Sequence, residues 1–102
     1  MLDGVVQGAG QVFGEHVVYD RESGQPLAAS FMDYAMPRAG LIREVRGAEH
    51  ATPSKVSPLG VKGVGESGAV GALPVVMNAI LDALSPLGVT HLDMPATPER
   101  VW

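Results

Sequence analysis

Apolar residues recur along the first segment, Leu2 to Val18, at Val5, Ala9 and Val12 and again at Val6, Phe13 and Val17. A three-to-four spacing of this kind predicts one face of a helix. Asp3 stands where a cap is wanted, and Gly8, Ala9 and Gly10 would let a second backbone or a ligand come close. Around His16 to Tyr19 the pattern turns toward alternation, so a strand reading competes with the end of that helix. Asp20 to Pro26, DRESGQP, is a turn by composition. Leu27, Ala29, Phe31, Asp33 and Ala35 then alternate with Ala28, Ser30, Met32, Tyr34 and Met36, which predicts an extended segment ended by Pro37. Arg38 to Ser57 is mixed and charged, with Leu41, Ile42 and Val45 as short strand material and loops at Thr52-Pro53-Ser54 and Ser57-Pro58.

Further along, Val75, Val76, Ala79, Ile80, Ala83 and Leu84 form a wide apolar stripe from Leu73 to Leu84. Pro74 suits the first turn of such a helix, and Pro86 and Gly88 close it. Only Asn78 and Asp82 interrupt it, so this helix wants cover on most sides. Val89 to Leu92 reads as a short strand, and Thr97-Pro98-Glu99-Arg100 as a cap followed by proline at the first helical position. The whole reads as α+β: a partial domain over residues 1–102, with two main helices, short strands and long irregular loops.

Composition sharpens the word partial. Hydrophobic residues reach 46% but aromatics only 5%, so a core must come from Val, Leu, Ala and Met. Thirteen glycines and eight prolines lie well above ordinary usage. So many backbone punctuators in an apolar chain predict irregular segments that lean on something else. The net charge of -4 leaves no basic stripe for nucleic acid or an anionic membrane surface. The absence of cysteine excludes disulfides, thiolate zinc sites and iron–sulfur ligation within the chain. No apolar run is expected to span a membrane, and the start carries Asp3 where a signal peptide would be basic. A cytoplasmic location is the expectation.

The densest chemistry is KGVGESGAVG, Lys62 to Gly71, four glycines around one carboxylate, Glu66. Gly63-Val64-Gly65-Glu66-Ser67-Gly68 matches the dinucleotide pattern G-x-G-x-x-G. The approach Ser57-Pro58-Leu59-Gly60 is turn-rich where that fold needs a strand, and the acid at the right distance, Asp82, lies inside the apolar helix. Glu66 would also repel a pyrophosphate. The phosphate-loop pattern fails because no Lys-Ser/Thr pair follows a glycine. What remains is a carboxylate on a side-chain-poor loop just ahead of a helix. It reads either as an ordinary acid favoured by the helix dipole or as a base on a rigid loop beside room for a cofactor.

KGVGESGAVGALPVVMNAILDAL resembles the C-terminal region of the molybdopterin-binding large subunit in the xanthine oxidase family. That family contains aldehyde oxidases, xanthine dehydrogenases and aerobic-type carbon monoxide dehydrogenases. VVQGAGQVFGEHVVYD, GQPLAASFMDYAMPRA and DMPATPERVW agree in order, so the resemblance covers nearly the whole chain, nearest the carbon monoxide dehydrogenase-like branch. It implies that Glu66 is the general base beside a molybdenum centre, with Gly63, Val64 and Gly65 bringing backbone up to it. It implies that Gln7 hydrogen-bonds the pterin, a role suited to a planar amide with one acceptor and two donors; the plainer alternative is a solvent-facing helix residue. The implied cofactor is molybdenum–molybdopterin in its cytosine dinucleotide form, with the metal held by the pterin and inorganic ligands rather than by this chain. Iron–sulfur clusters and FAD would sit on partner subunits. Ser67, where alanine is common, is a small departure.

Length is the larger departure, because a family large subunit is several times longer. Two classes follow. The chain is the C-terminal piece of a molybdenum hydroxylase, inactive alone and working with the remainder of the large subunit or other hydroxylase subunits. Alternatively it is a non-catalytic remnant or excised fragment acting in association or binding, self-association included.

Overall fold

The computed structural model describes residues 1–102. Helix α1 runs Leu2–Phe13, α2 runs Ser67–Leu84 and continues as a single 3-10 turn Ser85–Leu87, and a short α3 runs Pro98–Val101. The only strand-like pairing is an antiparallel bridge between Tyr19 and Pro26.

Helix α1 stops at Phe13, before the His16–Tyr19 region. The N–H groups of Gly14 and Glu15 both donate to the Gly10 carbonyl, at 2.9 and 3.0 Å, and close the last turn. Beyond them the chain is claimed by the turn at 20–26. Asp20 N–H donates to Gln25 O at 2.8 Å and Leu27 N–H to Val18 O at 2.7 Å. The alternation from Leu27 to Met36 does not become a strand. Ser30 folds that segment into a turn, its carbonyl accepting from Asp33 and Tyr34 N–H and its hydroxyl donating to the Asp33 carboxylate at 2.8 Å. Such local side-chain bonding competes with extended structure. Val89 to Leu92 is likewise irregular.

Helix α2 begins six residues before the predicted Leu73, so Pro74 lies inside it rather than in its first turn. Gly68 and Gly71 are weak helix formers, and packing on α1 carries these extra turns. Gly4 lies against Gly68 and Ala69, and Gly8 against Ala69, Ala72 and Leu73. The partners rise together along both helices, so α1 and α2 run in the same direction. Joining two parallel helices demands a long return, which the irregular residues 14–66 supply. At the far end Gly88 adopts φ +80, which a residue without Cβ takes at no steric cost, and its N–H donates to Ser85 O.

The core is small. Val12 is fully buried, with Ala9, Ala72 and Ala96 beside it. Ala96 N–H donates at 2.7 Å to the Val12 carbonyl, one of the helix-end acceptors that α1 cannot satisfy by itself. This bond ties the C-terminal segment to the helix pair. One expectation is corrected: Ser67–Leu87 is long and apolar enough, by length and composition, to cross a membrane. The apolar stripe predicted a helix only from Leu73 to Leu84, and the longer run became visible only with the early start of α2.

Candidate functional site

Glu66 occupies the residue just ahead of α2. Its backbone is already near-helical, φ -96 and ψ -7, and its side chain makes no capping hydrogen bond. Its carbonyl instead accepts from Val70 N–H at 3.1 Å, the first bond of the helix. No cation pairs with its carboxylate. The carboxyl is therefore committed to nothing in the fold, which removes the capping role that an acid at this position would ordinarily fill. The side chain lies exposed on a recess of about 430 Å³ lined by Gly63, Gly65, Glu66, Ser67 and Val70.

The glycines give this recess its character. A Cβ placed on Gly63 or Gly65 would meet no atom within 4 Å. Neither adopts positive φ, a conformation confined here to Gly24, Gly60 and Gly88. Neither internal packing nor backbone strain thus calls for glycine at 63 and 65. What a missing side chain still offers is close approach of backbone to something outside the chain. No strand leads into this loop, so the geometry around it is not that of a dinucleotide fold.

The predicted residues divide between places. Gly63, Gly65 and Glu66 share the recess, while Val64 turns to a neighbouring one of about 410 Å³ with His50, Thr52 and Lys62. Gln7 is exposed on α1, outside both linings. Its residue neighbours the helix contact through Gly8, and its amide makes no hydrogen bond within the chain. Ser67 and Val70 also line the recess. They were missed because the helix was expected to begin at Leu73; a start at Ser67 would have placed both on its first turn. The donor set suits a large planar polar group. The recess offers a bare backbone edge and a free carboxylate, the Gln7 amide lies outside its lining, and the chain has no cluster of three His, Asp or Glu to hold a metal directly.

Residues 2–43 match the model of the molybdopterin cofactor-binding domain. The chain is 45% identical over 100 residues to the nicotine 6-hydroxylase large subunit of Paenarthrobacter nicotinovorans, covering 96% of this chain and 12% of that one. It is 39% identical to the carbon monoxide dehydrogenase large chain of Hydrogenophaga pseudoflava, covering 97% and 12%. These identities do not single out the carbon monoxide dehydrogenase-like branch. Quinoline 2-oxidoreductase from Pseudomonas putida 86 superposes with a TM-score of 0.89 at 38% identity, over 97% of this chain and 12% of that one. The chain thus spans about an eighth of the length of these relatives.

Proposed function

The chain belongs to the molybdopterin-binding large subunits of the xanthine oxidase family, and from that premise we propose that it forms the C-terminal part of a molybdenum hydroxylase catalytic subunit, an oxidoreductase. In this role Glu66 is the general base. The observation that carries it is the pairing of an uncommitted carboxylate with Gly63 and Gly65, whose missing side chains the fold itself does not require.

The molybdenum–molybdopterin group, when bound, supplies oxygen transfer and accepts the two electrons of the oxidation. Every remaining duty falls to side chains and backbone. Gly63, Val64 and Gly65 present a thin backbone edge against which the group can lie. Glu66 takes up the proton released as oxygen passes to the substrate, a transfer that needs an ionised carboxylate held in reach and not engaged elsewhere. Gln7 donates to and accepts from the pterin edge. The cytosine dinucleotide form of the cofactor, iron–sulfur and FAD centres on partner subunits, and a cytoplasmic location belong to the same proposal. The remainder of the large subunit is the partner, and residues 1–102 are one piece of an α+β domain in that assembly.

The test is the complete large subunit carrying Glu66→Gln, which keeps size and removes the base. Turnover should fall about a hundred- to ten-thousand-fold, with molybdenum and pterin content unchanged. Near-normal turnover would return Glu66 to an ordinary helix-start acid. Unchanged pterin content in Gln7→Ala would remove Gln7 from the site.

A further inference from the structure

Gln7 lies on α1 and Glu66 just ahead of α2, 59 positions apart in the numbering of the chain, yet each flanks the contact between the two helices. Gln7 immediately precedes Gly8, and Glu66 stands two residues before Gly68. At this contact backbone meets backbone. A Cβ on Gly4 would lie 2.9 Å from Ala69 N, and one on Gly8 would lie 2.7 Å from Ala72 Cβ and 2.8 Å from Ala69 O. A Cβ on Gly68 would overlap the Met1 carbonyl oxygen and come within 3.1 Å of Val5 N. Those two groups form the opening bond of α1, Val5 N–H to Met1 O at 3.2 Å. Gly8 and Gly68 are buried, whereas Gln7 and Glu66 beside them are exposed.

We infer that Gly4, Gly8 and Gly68 are positioning residues: by letting α1 and α2 touch through backbone, they fix the placement of Gln7 relative to Glu66. This inference rests on the reading of the site proposed above. The physical reason is the lack of slack. Carbon atoms in contact prefer about 3.5–4.0 Å, so a methyl at Gly8 displaces α1 from α2 by about 1 Å. The displacement is carried directly to the adjoining Gln7, and the obstacle is not the far end of a flexible side chain that could swing away. A misplacement of about 1 Å at reacting groups costs on the order of a hundredfold in rate.

The experiment uses the complete, cofactor-loaded large subunit with its partner subunits, carrying Gly8→Ala, Glu66→Gln or neither. The expected result for Gly8→Ala is assembly with normal molybdenum content, kcat lower by roughly a hundredfold, KM little changed, and faster release of the pterin on dilution. Adding Ala72→Gly removes the nearest obstacle and should recover part of the lost kcat, which a general loss of helix stability would not do. Should Gly8→Ala fail to assemble, Gly4→Ala, whose closest obstacle is one backbone nitrogen, is read by the same criteria. Wild-type kcat in the loaded variant overturns the inference. Glu66→Gln run alongside separates the two failures. If Glu66→Gln turns over normally, the site reading falls; if it is inactive while Gly8→Ala is not, only the positioning role falls.

Discussion

Asp20 shows how a single side chain organises the chain locally. Its carboxylate accepts from the Ser23 hydroxyl at 2.6 Å and from the Ser23 N–H at 2.8 Å, and the Ser23 hydroxyl oxygen in turn accepts from Gln25 N–H at 3.3 Å. The Ser23 hydroxyl first, then the Ser23 backbone N–H, hold the Asp20 carboxyl below its ordinary value of 3.8. A depressed carboxylate stabilises the folded turn above that value, and the contribution is lost as pH falls through the lower, folded one. A carbon-13 titration of Asp20 should therefore show a midpoint under 3.8, moving up toward it in Ser23→Ala. An unchanged midpoint in that variant would mean the hydroxyl does not hold the charge. This turn was legible because Asp, Ser, Gly and Pro carry their own turn chemistry. Ser30 was not, because its neighbours alternate and one serine inside an alternating run gives no warning that its own hydrogen bonds will win. Glu66 was legible as chemistry through its glycines, whereas its freedom from any capping bond is a geometric fact that no residue pattern contains.

At the scale of elements, periodicity located both main helices and the end of α2 at Leu84, but placed the start of α2 too late. The first turns of α2 are built from Ser67, Gly68, Ala69, Val70 and Gly71, a poor helical stretch that α1 holds in place through Gly4 and Gly8. Tertiary contact of that kind overrides propensity and is invisible to a reading of one segment at a time. Its consequence is a proline in a helix interior. Pro74 has no N–H to offer the Val70 carbonyl four residues earlier, and an interior proline costs about 3 kcal/mol relative to alanine. Pro74 is itself exposed. Pro74→Ala in the assembled subunit should stabilise α2 by about 1–3 kcal/mol, seen as slower amide exchange over the middle of the helix and a raised melting point. Faster exchange in that variant would show instead that the break in hydrogen bonding is needed to bend α2 onto its neighbours. The C-terminal helix went the other way. Thr97, extended at φ -65 and ψ 158, followed by Pro98 at the first helical position, is the arrangement that the residues predict.

The molecule as a whole exposes far more than a self-sufficient chain of its size. Its accessible surface is 8367 Å², against about 5,500 Å² expected for a folded monomer of 10.6 kDa. Its radius of gyration is 17.4 Å, against about 13 Å for a compact domain of this length. Only eight of 102 residues are buried, and the largest wholly buried side chain is a valine. The excess surface, about 2,900 Å², is several times what one partner contributes to an ordinary interface, about 800 Å². Val70 and Val75 on α2 are 66% and 65% exposed, Phe31, Met32 and Leu59 stand out from the connecting segment, and Trp102 is exposed after α3. Ordering a residue costs about 1–2 kcal/mol, and four small buried apolar residues cannot offset that over a hundred positions. The proportions of glycine, proline and aromatic residues hinted at this dependence; which faces need cover became visible only once the helices were paired. Alone, the chain should therefore unfold without a cooperative transition, with α2 amides exchanging close to unprotected rates. Joined to the remainder of the large subunit, the same amides should slow by several orders of magnitude, and the apolar side chains of α2 should stop binding a hydrophobic dye. A steep, two-state melting curve for the lone chain, reproduced in amide exchange, would show that these exposed faces are compatible with independent stability and would restore association or binding as the role of the chain by itself.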